Sequence, residues 1–302
     1  MPFLRALLLL LLVQPAWAQL RPVPGPADTI TQESRDAEAD AAWVAALAAA
    51  TRGPADVPLA DQATLALPRG MVLIPKAEAF RYARSRGNTP GDEQIGIVTT
   101  PGDENWLVSV RWVPDGYIRD DEARDLNPDT ILTDLRDGAE ESNKDRVARG
   151  FPELVIQGWV EKPSYDAATH QLRWALGVAR KDEPDASSVN LNTRALGRGG
   201  YMSLNLATAR DDLAQYRPVA NQLLTGLTFN QGRAYADFNS GTDRIAEYGL
   251  IGLIGVVAAK KLGLIALAGV FVLKFAKVGL LALAGGSLAV RRLLRRNAPP
   301  AA

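Results

Sequence analysis

The clearest candidate for a ligand site in the sequence is a group of amide and guanidinium side chains in one strand-like stretch. Asn190, Asn192 and Arg194 are spaced two residues apart, so on a β-strand they would share one face. We group His170 and Arg198 with them, because together the five residues could bind an anion or a carboxylate. Equally, buried Asn and Arg side chains can satisfy loop carbonyl groups and fix a turn.

A second group of residues that could do chemistry is an acidic patch, consisting of Asp120, Asp121, Glu122 and Asp125. Carboxylates of this kind could hold a hard cation such as Ca²⁺. The patch lacks the glycine and the terminal glutamate of the twelve-residue calcium loop, and a solvated turn explains it, so we predict no metal site. A hydrolase would have to use Asp120, Asp121 or His170, and would need a concave site that brings at least two of them together.

The composition removes most other kinds of catalytic site. The chain has 302 residues with no cysteine and one histidine, which excludes thiolate nucleophiles, disulfides, cysteine zinc sites and iron–sulfur clusters. A single His170 also excludes any site that needs two imidazoles from one chain. We therefore assign no catalytic residue and no cofactor, and expect the protein to be non-enzymatic.

The balanced total of 34 basic and 34 acidic residues hides a polarised chain. The last 58 residues carry 8 basic residues and 1 acidic residue, which leaves 26 basic and 33 acidic residues upstream. Because the upstream part is net acidic and has no basic stripe, we expect no nucleic-acid partner.

The N-terminus has the pattern of a secretory signal peptide over residues 1–18. Arg5 supplies the positive charge, Leu7–Val13 the apolar run and Ala16-Trp17-Ala18 the cleavage site. A retained anchor is the alternative, although the apolar run is well short of the ~20 residues that a span needs. Residues 19–67 are rich in alanine and proline, which predicts a spacer with one helix over Asp36–Ala50.

The C-terminal tail gives the strongest topological signal, because Tyr248–Val290 is a run of 43 almost wholly apolar residues. One helical span needs only ~20 residues, so we predict a membrane segment over residues 242–290. Arginines close the chain, and the positive-inside bias predicts a basic cytoplasmic tail over residues 291–302. Together with a cleaved signal, this predicts one net crossing of the cytoplasmic membrane, with the main domain extracytoplasmic.

The arrangement of the apolar run is open between one span, a kinked helix and a re-entrant segment. Four lysines interrupt the run: Lys260, Lys261, Lys274 and Lys277. They either reach the interface with their long side chains or line a self-associated bundle. Gly252, Gly255 and Ala259 would allow close helix approach. The expected partners are therefore the lipid bilayer and either a second copy of the chain or an envelope protein.

The remaining residues, 68–241, predict an extracytoplasmic α+β domain. Adjacent strand-like stretches between isolated helices favour a mainly antiparallel sheet with covering helices, followed here by the C-terminal transmembrane helical segment. The predicted helices are Pro75–Arg86, a helix capped by Asn127-Pro128 and running to Arg149, and Asp211–Leu224. The predicted strands are Gln94–Thr99, Trp106–Val113, Leu154–Val160, Gln171–Ala179, Ser188–Arg194, Tyr201–Ala207 and Leu227–Phe229.

A set of motifs in this domain and at the start of the predicted membrane segment resembles a bacterial family of predicted membrane-anchored proteins known as domain of unknown function 2167. The motifs are Gly116-Tyr117, Asp120-Asp121, Asn143, Gly158-Trp159, Pro163-x-Tyr165-Asp166, His170-x-Leu172-x-Trp174-Ala175, Asn190-x-Asn192-Thr193-Arg194-x-Leu196-Gly197-Arg198, Phe229-x-x-Gly232-x-x-Tyr235-x-Asp237-Phe238, Asp243, Ala246 and Tyr248-Gly249-Leu250. The resemblance covers roughly residues 70–296. It implies an exported domain with a membrane segment, and it implies no reaction.

These observations favour a membrane-anchored, periplasmic-side module of the bacterial envelope that acts through interaction or assembly. The first alternative is a membrane transport or sensing component in which the four tail lysines form a polar pathway. The second is the hydrolase with a carboxylate-based site described above.

Overall fold

The computed structural model describes residues 32–102 and 104–254, all in the first of the two compact units into which the chain divides. The helices in this part are α1 Gln32–Ala49, α2 Lys76–Ser85, α3 Pro128–Ala148, α4 Leu213–Thr225 and α5 Leu250–Ile254. The strands are β1 Thr51–Arg52, β2 Ala55–Leu59, β3 Ala63–Leu67, β4 Val72–Pro75, β5 Gln94–Thr99, β6 Trp106–Val113, β7 Leu154–Asp166, β8 Gln171–Arg180, β9 Glu183–Gly197, β10 Gly200–Ala209 and β11 Leu227–Phe229.

Eight strands form one sheet in the order β1-β4-β5-β6-β10-β9-β8-β7, and each neighbouring pair is antiparallel. Strands β7 to β10 form a meander, because tight turns join each strand to the next. The strands β6 and β10 lie in the middle of the sheet, and almost all of their residues are buried. The α+β fold with a mainly antiparallel sheet and covering helices is therefore confirmed.

One face of the large sheet is apolar and is covered by α4 and by a small three-stranded sheet. The small sheet has the order β11-β3-β2. Its leucines Leu59, Leu65 and Leu67 are buried against even-numbered residues of β6 and β10, together with Leu223 of α4. This layer forms the largest apolar core cluster and supports the strands from behind.

The opposite face is covered by three helices and contains two separate apolar clusters. Helices α1 and α2 pack on one end of the sheet, where Tyr82 and Leu107 are buried. Helix α3 packs on the other side, where Ile131 and Leu135 meet Trp174. Helix α3 begins as predicted, because the side chain of its cap Asn127 accepts hydrogen bonds from two backbone amides of the first turn, at 3.1 and 3.2 Å.

The prediction of a spacer is wrong for residues 51–67, which belong to the folded domain. Strand β3 lies between β2 and β11, so this segment pairs with a strand from near the C-terminal end of the domain sequence. Leu65 and Leu67 alternate with less buried residues, as expected for a strand with one face on the core. The predicted Ala-rich helix is present as α1, but it packs on α2 instead of standing alone, and Ala42 and Ala46 are buried.

The start predicted for the membrane segment is also wrong, because residues 242–254 pack on the domain. Leu250, Leu253 and Ile254 of α5 are buried in the same cluster as Trp174. Within the described ranges no helix has both the length and the apolar character needed to span a bilayer. The predicted signal peptide, the lysines Lys260, Lys261, Lys274 and Lys277 and the basic tail lie outside the described residues.

Candidate functional site

Between the two apolar clusters of the helix-covered face lies a patch of buried polar side chains, which we call the arginine cluster. Its members come from four neighbouring strands and all are at least nine-tenths buried. They are Gln94 of β5, Ser109 and Arg111 of β6, Ser203 and Asn205 of β10, and Asn190, Asn192 and Arg194 of β9.

The register of the sheet places the two arginines on either side of Ser203. In β10, Ser203 is directly opposite Arg111 of β6 and, on its other side, Arg194 of β9. Because adjacent strands are about 4.8 Å apart, the two side chains leave the same face from positions about 10 Å apart. Arg194 Nη1 donates a hydrogen bond of 2.7 Å to Ser203 Oγ. In the next row, Asn205 is opposite both Ser109 and Asn192.

The two guanidinium groups are buried without a carboxylate to balance them. Arg194 is 5% exposed and Arg111 is 9% exposed. Among the described residues, neither group has an Asp or Glu oxygen within 4.0 Å. Arg194 instead lies over the rings of Trp174 and Tyr201, at 4.8 and 5.7 Å. Burial, with the nearby charge of Arg111, lowers the pKa of Arg194 to about 10, so it remains a cation at neutral pH.

Several polar atoms of the cluster have no hydrogen-bond partner. The buried donors without an acceptor are Arg111 Nε, Arg194 Nε, Asn190 Nδ2 and the neighbouring Trp174 Nε1, and the buried acceptor without a donor is Asn205 Oδ1. Within the described ranges, only one other buried side-chain nitrogen or oxygen atom, Glu93 Oε2, lacks a hydrogen-bond partner. Since buried polar groups are nearly always paired in folded proteins, this concentration at one place distinguishes the cluster from ordinary core polarity.

A second structured region adjoins the cluster. It consists of residues 235–254, which fold back onto the end of the sheet and are here called the connector. Four rings stack at its start. Tyr117 lies between Phe238 and Tyr235, with ring centroids 3.8 and 4.4 Å away, and His170 lies 4.2 Å from Tyr235. Two connector residues are therefore fixed against the domain by aromatic packing.

Hydrogen bonds and an ion pair hold the rest of the connector. The guanidinium of Arg198 binds both carboxylate oxygens of Asp243, at 2.7 and 2.8 Å, and this holds the pKa of Asp243 well below its usual range. The backbone of Tyr117 donates to Arg244 O at 2.8 Å and accepts from Ala246 N at 2.9 Å.

The connector also meets the arginine cluster through two tyrosines. Tyr248 bonds to the Asp115 carboxylate and interacts electrostatically with Tyr201. Tyr201 in turn packs beside Arg194. One side of the cluster is therefore closed by the connector.

The structure brings together Asp120 and His170, two of the residues considered for a hydrolase. Their closest approach is 3.7 Å, from His170 Nδ1 to Asp120 Oδ2, and the Tyr165 hydroxyl donates to that same oxygen at 2.7 Å. Burial and the bond to Asp120 raise the pKa of Tyr165, so its hydroxyl stays protonated. Because His170 packs on the ring of Tyr235, this triad supports the ring stack.

In the described part of the chain, no three His, Asp or Glu side chains converge as a possible metal-ligand group, and for the acidic patch the absence of a metal stays a prediction. Asp121 and Glu122 lie in a short 3₁₀ helix over Asp121–Arg124. This agrees with the interpretation of the patch as a turn.

The five predicted ligand-binding residues divide between the two regions. Asn190, Asn192 and Arg194 lie together on one face of β9, as the spacing predicts, and their binding role stays a prediction. His170 and Arg198 contact the connector, and their grouping with the other three residues also stays a prediction. Arg198 lies in the turn after β9 and pairs with Asp243, while His170 lies in the turn before β8.

Sequence reasoning missed the contributions of the other strands to the cluster, above all Arg111, Ser203 and Asn205. A signal was present, because Ser109 and Arg111 occupy alternate positions of an otherwise apolar strand, and Ser203 and Asn205 do the same in a mostly apolar one. Polar residues at core positions are exceptions that call for a functional reason.

Comparison with known proteins identifies a family and no activity. The family model described as "Protein of unknown function (DUF2167)" matches residues 51–284, which confirms the resemblance seen in the motifs. No curated protein matches the chain significantly.

Solved structures of similar shape share little sequence with the chain. Cyanobacterial PsbP (CyanoP) from Synechocystis sp. PCC 6803 is 14% identical over 61% of this chain and 94% of its own, with a TM-score of 0.35. LpqN of Mycobacterium tuberculosis, described as involved in cell envelope biogenesis, is 11% identical over 56% of this chain and 83% of its own, with a TM-score of 0.29. The Ran-binding protein Mog1p of Saccharomyces cerevisiae is 12% identical over 63% of this chain and 100% of its own, with a TM-score of 0.30. At these TM-scores the likeness supports no inference about function.

Proposed function

Because this chain belongs to the DUF2167 family, whose description assigns no activity, we propose a function from its own residues. The chain is a membrane-tethered, non-enzymatic binding module of the cell envelope. Its α+β domain faces the extracytoplasmic side, and its tail crosses the cytoplasmic membrane once.

The observation that carries this proposal is that the connector is bound to the domain and leads without a spacer into the apolar run. Leu250, Leu253 and Ile254 are buried, and the apolar sequence continues to Val290 with no Gly/Ser-rich, Pro-rich or highly charged linker. A domain that had to move freely on its anchor would be joined to it by such a linker. The packed connector instead supports an anchor sequence that follows directly on the folded domain.

The orientation follows from charge and from the N-terminal sequence. Four arginines after Val290 favour a cytoplasmic C-terminus, and the signal-like residues 1–18 favour export of the domain. The partners proposed are the lipid bilayer and either a second copy of the chain or another envelope protein.

The tether is tested by truncation, and the structure fixes where to cut. Removing residues 255–302 leaves the connector in place, so we expect a folded domain that leaves the membrane fraction after a high-salt wash. A matched variant that lacks only residues 291–302 keeps the apolar run and should remain in the membrane. Retention of the longer truncation in the membrane fraction would contradict the tether.

The orientation is tested by cysteine accessibility, which has no background because the chain has no native cysteine. Single cysteines are introduced as Ala186→Cys and Ser240→Cys at exposed positions of the domain, and as Asn297→Cys in the tail. With a reagent that does not cross the inner membrane, we expect labelling at 186 and 240 and none at 297. Labelling of all three in intact cells would exclude a single crossing.

A further inference from the structure

We propose that the arginine cluster is a binding site for one small oxyanion, a carboxylate or a phosphate. This inference goes beyond the tether, because it concerns the interior of the domain and stands whether or not the tail crosses a membrane. It rests on charge, on the unpaired atoms, on the fixed groups around them and on the position of Arg111.

The first argument is charge. Two buried cations without a buried anion are costly, because removal of even one charge from water carries a penalty of several kcal/mol unless it is paired. Arg111 and Arg194 flank the same residue, Ser203, and repel one another. A single anion bound between them would relieve this repulsion, because a carboxylate offsets one of the two positive charges and a phosphate dianion offsets both.

The second argument is the kind of unpaired atom. Four buried donors lack acceptors, namely Arg111 Nε, Arg194 Nε, Asn190 Nδ2 and Trp174 Nε1, against one acceptor, Asn205 Oδ1, that lacks a donor. A ligand that satisfies this set must be rich in acceptors. Carboxylate and phosphate oxygens meet the requirement and match the fork of the guanidinium group. Water supplies donors and acceptors equally, and it leaves the two charges unbalanced.

The third argument is that other members of the cluster are already paired and frame the site. Gln94 Nε2 donates to Gly96 O and Val110 O, and Ser109 Oγ donates to Gln94 Oε1 at 3.2 Å. Arg194 Nη1 is held by Ser203 at 2.7 Å. The bonding leaves the Nε edges of the arginines free while the surrounding groups are fixed, as a pre-organised site requires.

Arg111 marks the side from which a solute would enter. It has the highest exposed fraction of the eight residues, 9%, whereas Ser109 and Asn190 are 1% and 2% exposed. The Arg194 side is closed by Tyr201, whose ring packs beside the guanidinium of Arg194.

The test uses the full chain in detergent, with inorganic phosphate and acetate as probes and chloride at equal ionic strength as the reference. A ligand that binds only the folded state raises the unfolding midpoint with its concentration, by about 5–10 °C at a hundredfold excess over Kd. We expect such a rise with at least one probe. A rise with phosphate alone indicates a phosphate-bearing ligand, and a rise with acetate alone indicates a carboxylate.

Three variants separate the site from general salt effects. Arg194→Met and Arg111→Met should abolish the rise. Arg173→Met on β8 is the matched control, because this arginine is not fully buried and bonds to Gln171 and Asn221 outside the cluster, so the rise should persist. An equal rise in all four proteins would overturn the proposal, since it would reflect the surface as a whole.

A direct measurement keeps the proposal falsifiable if the methionine variants do not fold. Equilibrium dialysis of the wild-type chain against radiolabelled phosphate or acetate should give one bound ion per chain. Absence of saturable binding of both probes, together with a midpoint no higher than in chloride, would overturn it.

Discussion

The aromatic stack at the start of the connector makes a specific prediction about Tyr235. Its ring lies between those of Tyr117 and His170, at 4.4 and 4.2 Å, and its hydroxyl donates to Ile118 O at 2.8 Å. Replacement by alanine removes a 93% buried ring from between two others. Large-to-small substitutions of buried aromatic residues cost about 3–5 kcal/mol. We expect Tyr235→Ala to free the connector while the sheet remains folded.

Tyr235→Phe is the matched control, because it keeps the stack and removes one hydrogen bond. The cost of losing such a bond is about 1 kcal/mol. Since 1.4 kcal/mol corresponds to a tenfold change in an equilibrium constant, the alanine variant should increase local opening by about 10² to 4 × 10³-fold and the phenylalanine variant by less than about tenfold.

Hydrogen exchange measures local opening directly. The amide to follow is that of Ala246, which donates to Tyr117 O at 2.9 Å, with amides of β9 and β10 as the internal reference. Protection at Ala246 should fall in Tyr235→Ala while the reference amides keep theirs. The reasoning would be refuted if Ala246 stayed protected, or if the reference amides lost as much protection as Ala246.

Three further predictions concern the contacts around the domain. Gly116 has φ +98° and a Cβ there would lie 2.7 Å from Arg244 O, so Gly116→Ala should loosen the connector in the same exchange assay, whereas Gly102→Ala, which meets no atom within 4 Å, should not. Asn143 makes two 2.9 Å bonds to the backbone of Leu154; Asn143→Ala should lower the free energy of unfolding in urea by about 2–4 kcal/mol, and Lys144→Ala on the exposed side should change it by less than about 0.5. Arg198 depresses the folded-state pKa of Asp243 below the unfolded value of 3.8. The stabilisation of the connector by the Asp243 carboxylate is therefore complete above that pH and is lost as the pH falls below it. In Asp243→Asn, the protection of the Ala246 amide should already be reduced at pH 7, and the further loss of protection that titration of Asp243 causes in acid should be absent.

Elements with local signals could be predicted from the sequence. Asn127-Pro128 provides both a cap and a first helical residue, and α3 begins there. The strands β5 and β6 are separated by a Pro-Gly turn and pair as expected. The information lies within a few residues in each case, so no knowledge of the rest of the chain is needed.

Elements that depend on distant partners could not be predicted. Strands β2 and β3 are five residues each, with prolines within and beside them, so their composition alone is typical of a spacer. Their stability comes from β11 and from leucines of the large sheet, which no local pattern contains. The packing of α5 on the domain is hidden in the same way, because buried and membrane-embedded leucines look alike in a sequence.

The candidate site shows the same division. Alternation along β9 was enough to place Asn190, Asn192 and Arg194 on one face. Adding Arg111 and Ser203 requires the register of β6 against β10, which the sequence does not specify. Arg198 is four residues from Arg194 but lies in the hairpin turn and pairs with Asp243, a partner that the local sequence does not reveal.

The pairing of β3 with β11 also determines when the domain can finish folding during synthesis. Leu65 is opposite Leu227, so their pairing must wait for about 160 residues to be made, roughly 8–32 s at 5–20 residues per second. Such non-local pairing gives a high contact order and slow folding. Until then Leu59, Leu65 and Leu67 lack part of the layer that buries them. A nascent or truncated chain that stops before Leu227 therefore exposes an apolar strand pair, which makes it a substrate for chaperones and proteases.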